Sequence, residues 1–349
     1  MLTAVEVENF RGIERLSVSG LGRVNLIIGK NNAGKTALME AIGAVGVVED
    51  AGNWLSAMQY SRMPEMDFSD FDNFWRPIFR SGDAERGFII RATRSAGLPV
   101  HLTMHQVRRE QLVAHGPPSA TTLKRLDWAL EYTIEAQKTR RFKVSYRTGN
   151  RGVSFPPILY PDAQSAWIGS GPSDLIEAIR LLSTLKQQGR DEQVRSLLHQ
   201  LDERIAGLEI LSPTGSQAAV FVRVAGEPML LPFQAMGEGV QRCFDIAAAL
   251  AGSDAPFLAV DEIENGLHHS VLESVWRWLA EISTARKVQV FATTHSEECV
   301  QAACRAFSAL NDDGLRVIRL DRKEHQTVAT VYDRNLVEAA GRMGVEIRG

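Results

Sequence analysis

The sequence predicts an α/β fold that combines a parallel sheet, an antiparallel β layer and an inserted helical hairpin. Apolar runs at 24–28, 257–260 and 288–294 have the composition of buried parallel strands. Runs at 88–93, 100–107, 128–135 and 142–146 are separated by turn residues, which is typical of antiparallel strands. Apolar residues recur every three or four positions over 175–185 and 194–205, and this spacing predicts two amphipathic helices.

These elements divide the chain into a head and an insertion. The head is predicted to comprise 1–50 and 215–349, and the insertion 51–214, with the β layer at about 87–150 and the helical hairpin at about 173–207. An N-terminal hairpin over 2–18 leads into the strand at 24–28, and Ser173 with Asp174 suits the start of the first inserted helix. The segment 49–80 lacks periodicity and is predicted as loop with short helix.

Composition excludes several classes of protein. The 349 residues are 44% hydrophobic and 23% charged, as in ordinary globular proteins, and the net charge of −3 restricts any nucleic-acid contact to a local patch. No run of eighteen apolar residues occurs, so we expect no membrane association. The three cysteines form no Cys-x-x-Cys pair and fit reduced thiols, so we expect a soluble cytoplasmic protein.

A phosphate-binding pattern, G-x-x-x-x-G-K-[ST], spans 29–36 between a predicted strand and a predicted helix. Glycines at both ends let the backbone N–H groups turn inward, and the helix N-terminus adds a positive dipole. Lys35 is expected to reach the β and γ phosphates, and the Thr36 hydroxyl to bind Mg²⁺. The residues predicted to bind nucleotide here are Gly29, Asn31, Asn32, Ala33, Gly34, Lys35, Thr36 and Ala37.

Acidic residues follow the second apolar strand, at the end where parallel strands deliver functional side chains. Asp261 is predicted to hold Mg²⁺, and Glu262 to act as the general base that polarises the attacking water. His295 follows the third strand and is predicted to contact the γ phosphate. His268 and His269 either cap the next helix or lie at a subunit boundary.

A second glycine-rich segment reads Met-Gly-Glu-Gly-Val-Gln-Arg over 236–242 and precedes an apolar helix. Two glycines at the start of a helix favour anion binding. Gly237, Glu238 and Gly239 are therefore further candidates for phosphate contact.

The segment 138–151 is the most basic part of the chain. A two-residue period places Arg141, Lys143 and Arg147 on one face of its strand. This face is either a contact for DNA phosphates or a solvated edge strand whose charges discourage aggregation, and the second interpretation is favoured.

Taken together, these motifs resemble the ABC-type ATPase heads of the RecF, SMC and OLD (overcoming-lysogenisation-defect) group, and most of all the AAA_15/AAA_21 ATPases. The motifs are Asn-Phe-Arg-Gly-Ile at 9–13, the phosphate loop, the segment 236–242, Val-Asp-Glu-Ile-Glu-Asn-Gly-Leu-His at 260–268, Ala-Thr-Thr-His-Ser at 292–296 and the closing 344–348. The resemblance implies a P-loop NTPase head that uses ATP and Mg²⁺ and forms a homodimer when ATP binds. Gly237 to Gly239 of one subunit would then cap the γ phosphate held at Lys35 of the other.

The chain departs from the family pattern in three places. Gly237 stands where the ABC signature usually has serine, so closure is expected to depend on backbone N–H groups or on Arg242, and hydrolysis to be slow or partner-dependent. Gln59 is a weak candidate for the glutamine loop, and no Asp-x-Asp motif follows His295, as a nuclease domain would require.

Three functions remain open from the sequence. The first is a nucleotide-gated switch or sensor for a separately encoded effector, as in phage-defence systems built on related ATPases. The second is a RecF-like ATPase that clamps duplex DNA. The third, a membrane transporter subunit, is disfavoured by the altered signature at Gly237.

Overall fold

A computed structural model describes residues 1–46, 71–96, 99–111, 125–135, 140–147, 153–154, 165–171, 173–213, 215, 217–252, 256–324 and 326–337. Only the backbone is described for Phe71 and for the parts of these ranges that fall within 105–166. The interpretations given above for Gln59, Lys138, Arg151 and 344–348 concern residues outside these ranges.

The helices and strands follow in chain order. The strands are β1 (Leu2–Phe10), β2 (Ile13–Ser19), β3 (Val24–Gly29), β4 (Phe88–Arg94), β5 (Val100–Gln111), β6 (Arg125–Glu135), β7 (Arg140–Arg147), β8 (Val153–Ser154), β9 (Ser165–Ile168), β10 (Ile205–Leu211), β11 (Ala219–Val224), β12 (Leu231–Pro232), β13 (Phe257–Val260), β14 (Gln289–Thr293), β15 (Leu315–Lys323) and β16 (Gln326–Asp333). The longer helices are α1 (Lys35–Gly46), α2 (Leu175–Gln188), α3 (Asp191–Leu201), α4 (Glu238–Gly252), α5 (His269–Arg286) and α6 (Glu297–Ala309). Short π and 3₁₀ turns occupy Phe71–Trp75, Arg76–Ile78 and Arg80–Gly82.

The chain forms two compact units. The first comprises Met1–Gly20, Asn31–Ala163 and Asp321–Ala329, and the second comprises Leu21–Lys30, Gln164–Leu320 and Thr330–Gly349. The head and insertion predicted from the sequence have different boundaries, and that division stays a prediction.

The first unit is built on a seven-stranded sheet with the order β2-β1-β4-β5-β6-β7-β8. Neighbouring strands in this sheet are antiparallel, as the sequence predicted for the β layer. The N-terminal hairpin joins this sheet because β1 pairs with both β2 and β4. The sequence predicted the hairpin but gave no reason to place it there.

Helix α1 packs on this sheet through β1, β4 and β5. Glu40 of α1 is fully buried and forms a 2.6 Å ion pair with Arg11, which lies in the turn between β1 and β2. Phe10 packs edge-on against Phe88, with ring centroids 5.0 Å apart. A buried carboxylate needs a paired cation, so Arg11 gives the Asn-Phe-Arg-Gly-Ile segment a structural role beside the phosphate-loop helix.

The second unit contains a sheet with the order β16-β15-β3-β14-β13-β9. Strands β15, β3, β14, β13 and β9 run parallel to one another, as expected for strands with continuous apolar runs. Strand β9 was not predicted, because four residues between proline-rich and glycine-rich segments carry little periodic signal. A separate three-stranded sheet comprises β10, β11 and β12.

The inserted helical hairpin packs on α4 within the second unit. The structure corrects its predicted boundaries. Asp174, and not Ser173, is the N-cap of α2, because its carboxylate accepts the N–H groups of Ile176 and Glu177. Ile205, which the apolar spacing placed in the second helix, begins β10 instead, since α3 ends at Leu201.

Among the residues that the structure describes, no helix is long and apolar enough to cross a membrane.

Candidate functional site

The carboxyl ends of β3, β14, β13 and β9 lie at one edge of the second unit's sheet, because these strands are parallel. Strand β3 ends at Gly29, the first residue of the phosphate loop, and β14 ends two residues before His295. Strand β13 ends directly before Asp261, and β9 directly before Gly169. The sequence therefore placed three of the four segments correctly at this edge and missed the fourth.

Asp261 and Glu262 begin a tight turn that is hydrogen-bonded to β14. The Thr293 hydroxyl donates to Asp261 Oδ1 over 2.5 Å and accepts the N–H of Glu262 over 2.8 Å. The Thr293 carbonyl accepts the N–H of Ile263 over 3.0 Å. Thr293 thus contacts three consecutive residues of the turn, a role that no sequence motif suggested.

The Glu262 carboxylate lies within reach of the predicted histidine. Its Oε1 atom is 3.5 Å from His295 Nε2, and its Oε2 atom accepts a 3.0 Å bond from Asn265 Nδ2. Glu262 has φ of 48°, a left-handed conformation that costs a non-glycine residue about 1–3 kcal/mol. The structure therefore brings Glu262 and His295 together and holds Glu262 in a strained turn.

Neighbouring residues fix the rest of this turn. Glu264 Oε1 accepts the backbone N–H of His295 over 2.7 Å. His268 is the N-cap of α5, and its ring accepts the N–H of Ser270, so the first interpretation offered for it, helix capping, is confirmed. The His269 ring packs on that of His268, with centroids 4.0 Å apart.

Arg242 is engaged within its own chain. Only 5% of it is exposed, and its guanidinium donates to the Gly169 carbonyl over 2.5 Å, to that of Glu262 over 3.1 Å and to that of Asp261. Burial lowers the pKa of this guanidinium, which stays protonated at any physiological pH. The expectation that Arg242 could replace the signature serine is wrong, because the side chain already holds the turn after β13 and the loop after β9.

One turn further along α4, Asp245 is partly buried and lies next to Ser173. Ser173 donates to its carboxylate over 2.5 Å. Burial raises the pKa of Asp245 to about 6, although the Ser173 bond and the Arg242 charge oppose this shift. The protonated carboxyl stabilises the fold fully below about pH 4, and this contribution is lost as the pH rises through about 6.

Asp245→Asn is expected to increase the free energy of unfolding at pH 8 by up to about 3 kcal/mol, with little change near pH 4. The amide keeps an acceptor for Ser173 and removes the buried charge. Urea unfolding at both pH values measures the difference, and Asp191→Asn, an exposed carboxylate at the start of α3, is the control. An equal change at both pH values would contradict the prediction.

The glycine-rich segment before α4 contains two dissimilar glycines. Gly237 is exposed, precedes the first helical residue and accepts the N–H of Val240 over 2.9 Å, and a Cβ atom there would meet nothing within 4 Å. A Cβ at Gly239 would lie 2.7 Å from the Gly266 carbonyl oxygen. The second glycine is therefore required by the close approach of the turn at Gly266, whereas the first is not required by packing.

Gly239→Ala is expected to destabilise the fold by about 1–3 kcal/mol, because a backbone carbonyl blocks the new methyl group. Gly237→Ser is expected to be neutral or to stabilise by a few tenths of a kcal/mol, since serine is favoured at an N-cap. Thermal unfolding of the two variants tests this contrast. Equal losses of stability would show that the two positions are equally constrained.

The rest of the phosphate loop lies in the first unit. Asn32 has φ of 62° and Gly34 φ of 101°, so two residues with positive φ, separated by Ala33, curl the backbone. The Leu38 N–H donates to the Gly34 carbonyl over 2.8 Å and begins the helix. Lys35 is 7% exposed at the first turn of α1. The loop has the strand, curl and helix that the motif requires.

Comparison with known proteins places these segments in ATPase families. Residues 1–46 match the family described as "AAA ATPase domain", and residues 173–300 match the one described as "AAA domain, putative AbiEii toxin, Type IV TA system". A Helicobacter pylori protein named ATP/GTP phosphatase is 21% identical over 86% of this chain and 87% of its own length.

Two further similarities extend over most of the chain. A Thermus scotoductus OLD nuclease is 21% identical over 95% of this chain, which spans only 65% of that protein. The crystal structure of an SMC head bound to the C-terminal winged-helix domain of ScpA covers 97% of this chain and 99% of its own, at 14% identity and a TM-score of 0.51. At this sequence identity, the comparison shows a similar fold and no more.

The fold and the family matches define an ATP-binding protein that hydrolyses ATP to ADP and phosphate. These matches support the resemblance of its motifs to the ABC-type ATPase heads of the RecF/SMC/OLD group.

Proposed function

We propose that this ATPase is a nucleotide-gated switch, in which two copies of the chain close over two Mg-ATP molecules and act on a separate effector. The observation that carries the proposal is the turn after β13, where Glu262 is oriented by Asn265 and lies 3.5 Å from His295. A carboxylate held beside a histidine suits activation of water for attack on a γ phosphate, and both follow strands of the sheet whose strand β3 leads into the phosphate loop.

Each residue predicted from the sequence has a place in this proposal. The phosphate loop binds the nucleotide through Gly29, Asn31, Asn32, Ala33, Gly34, Lys35, Thr36 and Ala37. Gly237, Glu238 and Gly239 close over the nucleotide of the second copy, which their place at the exposed start of α4 permits.

Thr36 and Asp261, the residues that the sequence predicts for magnesium, both carry oxygen ligands. The Thr36 hydroxyl and the Asp261 carboxylate would supply oxygen ligands, which Mg²⁺ prefers, together with phosphate oxygens and water. Asp261 Oδ1 accepts from Thr293, and its Oδ2 atom has no hydrogen-bond partner among the described residues. Mg²⁺ usually keeps several waters and is bound by one or two protein ligands together with substrate phosphates. The bound ion would neutralise charge on the phosphates.

In hydrolysis, Glu262 accepts a proton as water forms a bond to the γ phosphorus and the bond to the bridging oxygen of ADP breaks. His295 lies beside the same carboxylate and helps to hold the water in line. Lys35 stabilises charge on the β and γ phosphates.

Hydrolysis by the isolated chain is expected to be slow. Gly237 offers no hydroxyl to the γ phosphate, and Arg242 is already bonded to three carbonyls of its own chain. Only backbone N–H groups of the 237–239 segment remain for closure. A fast ATPase that needs no addition would contradict this part of the proposal.

The names of the relatives favour a role with a partner in phage defence. The description of one matched family mentions a toxin and a toxin–antitoxin system. The relative that matches 95% of this chain is named an OLD nuclease. An ATPase that changes between open and closed dimers can transmit nucleotide state to such a partner.

DNA clamping is the alternative. Strand pairing places Glu131 in register with Lys143, and Asp127 in register with Arg147. Replacing Arg141, Lys143 and Arg147 by Glu should leave ATP-dependent dimerisation intact under the switch proposal and abolish DNA binding under the alternative.

Light scattering tests the dimer. The mass is expected to double from 38.6 kDa when a non-hydrolysable ATP analogue with Mg²⁺ is added, and to remain monomeric with ADP. An unchanged mass at saturating analogue, with binding verified separately, would refute the closed dimer.

A further inference from the structure

We propose that Thr293 is a positioning residue whose single hydroxyl orients both the metal-binding carboxylate and the general base. This inference rests on the roles of Asp261 and Glu262 in the proposed function. Thr293 is fully buried at the end of β14, in the Ala-Thr-Thr-His-Ser segment, where the sequence assigned nucleotide chemistry to His295 and none to Thr293.

The direction of the hydrogen bonds is fixed by their partners. A backbone N–H only donates, so the Glu262 N–H uses a lone pair of the Thr293 oxygen. The hydroxyl proton is therefore directed to Asp261 Oδ1, 2.5 Å away. A carboxylate oxygen is an acceptor for this proton.

The two hydrogen bonds of the Thr293 hydroxyl orient two different residues, the proposed metal ligand and the proposed general base. The bond to Asp261 occupies Oδ1 and leaves Oδ2 as the carboxylate atom without a partner among the described residues, which fixes how the carboxylate is presented. The bond from the Glu262 N–H helps to hold that residue in its left-handed conformation, from which its side chain reaches Asn265 and His295. One hydroxyl thereby couples the orientations of the two acids.

The support behind the hydroxyl is rigid. Strand β14 lies between β3 and β13 in the sheet, and Thr293 pairs with Ile27 of β3. The Thr293 carbonyl also accepts the Ile263 N–H over 3.0 Å. A β-branched side chain has restricted χ1 rotation, so the oxygen keeps one position relative to the turn.

If Thr293 served only to fill space, the shape of its side chain would matter and its hydroxyl would not. Valine has nearly the shape of threonine and would fill the same space, whereas serine keeps the hydroxyl and loses the methyl group. Threonine, valine, serine and alanine at 293 therefore separate the two contributions, because each can be compared with a variant that differs only in the hydroxyl or only in the methyl group.

The expected result is that function follows the hydroxyl. Thr293→Val is expected to lower kcat about 10- to 100-fold and to weaken Mg-ATP binding by a similar factor, as loss of a residue that orients a metal ligand does. Binding of Mg-free ATP, measured by equilibrium dialysis with EDTA, should be unchanged. Thr293→Ser should resemble the unaltered protein, and Thr293→Ala should resemble Thr293→Val.

The comparison of serine with alanine keeps the test valid if the valine variant does not fold. Ser283→Ala removes another fully buried hydroxyl, on α5, and controls for a general loss of stability. The proposal is overturned if folded Thr293→Val keeps both kcat and the preference for Mg-ATP, or if function follows the methyl group.

The same assays separate this inference from the proposed function. If Glu262→Gln abolishes hydrolysis while Thr293→Val has no effect, the positioning role fails and the site assignment stands. If Glu262→Gln hydrolyses ATP normally, the site assignment itself fails, and the role of Thr293 fails with it.

Discussion

Glu262→Gln is expected to lower the rate of ATP hydrolysis by about 10²- to 10⁴-fold while ATP binding is retained. The amide has the size of the carboxylate and can still accept from Asn265, but it cannot take a proton from water. With Mg-ATP the variant should therefore accumulate as a stable dimer, detectable by light scattering and by phosphate release in the same sample.

The control for this variant is Glu273→Gln, which alters a carboxylate on α5 that pairs with Arg277 and Arg305. It should leave hydrolysis unchanged. A Glu262→Gln protein that stays monomeric with ATP would remove the basis for the closed dimer, and one with normal turnover would exclude Glu262 as the base.

Lys35→Ala is expected to abolish ATP binding within the range of calorimetry. The lysine is the cation placed at the start of α1 by the phosphate loop, and without it the β and γ phosphates lose their main point charge. The dimer should be lost as well, since closure depends on bound ATP. Isothermal titration with Mg-ATP measures the first effect, and light scattering the second.

Lys186→Ala provides the matched control. This lysine lies on α2, where it forms ion pairs at 3.6 Å with Asp191 and Glu209, so its removal should leave nucleotide affinity unchanged. Retention of ATP affinity by Lys35→Ala would show that the loop does not bind phosphates as proposed.

The chemistry of the site was accessible from the sequence because its motifs are local. A glycine-rich loop after an apolar strand, or two acids at the end of another, needs only a few consecutive residues to be recognised. Since parallel strands end at one edge of a sheet, Asp261 and His295 could also be expected at the same edge as Gly29, and the strand order confirms this.

Other features depend on contacts between residues far apart in the chain. The burial of Arg242 and its bonds to three carbonyls could not be inferred from a glycine-rich segment followed by a helix. Strand β9 is too short for its periodicity to be detected, and it is defined by its pairing with β13. Ser173 and Asp174 both have side-chain oxygens that could cap α2. The Ser173 hydroxyl donates to Asp245 instead, and Asp174 is the N-cap.

The sequence by itself determined the class of chemistry: a phosphate loop, an acidic pair and a histidine, each recognisable within a short segment. Only the tertiary structure decided that the N-terminal hairpin joins the antiparallel sheet, that Arg242 is occupied, and that Thr293 holds the acidic turn. The physical reason is that hydrogen bonds and burial between distant residues are properties of the folded chain and leave no periodic signal along it.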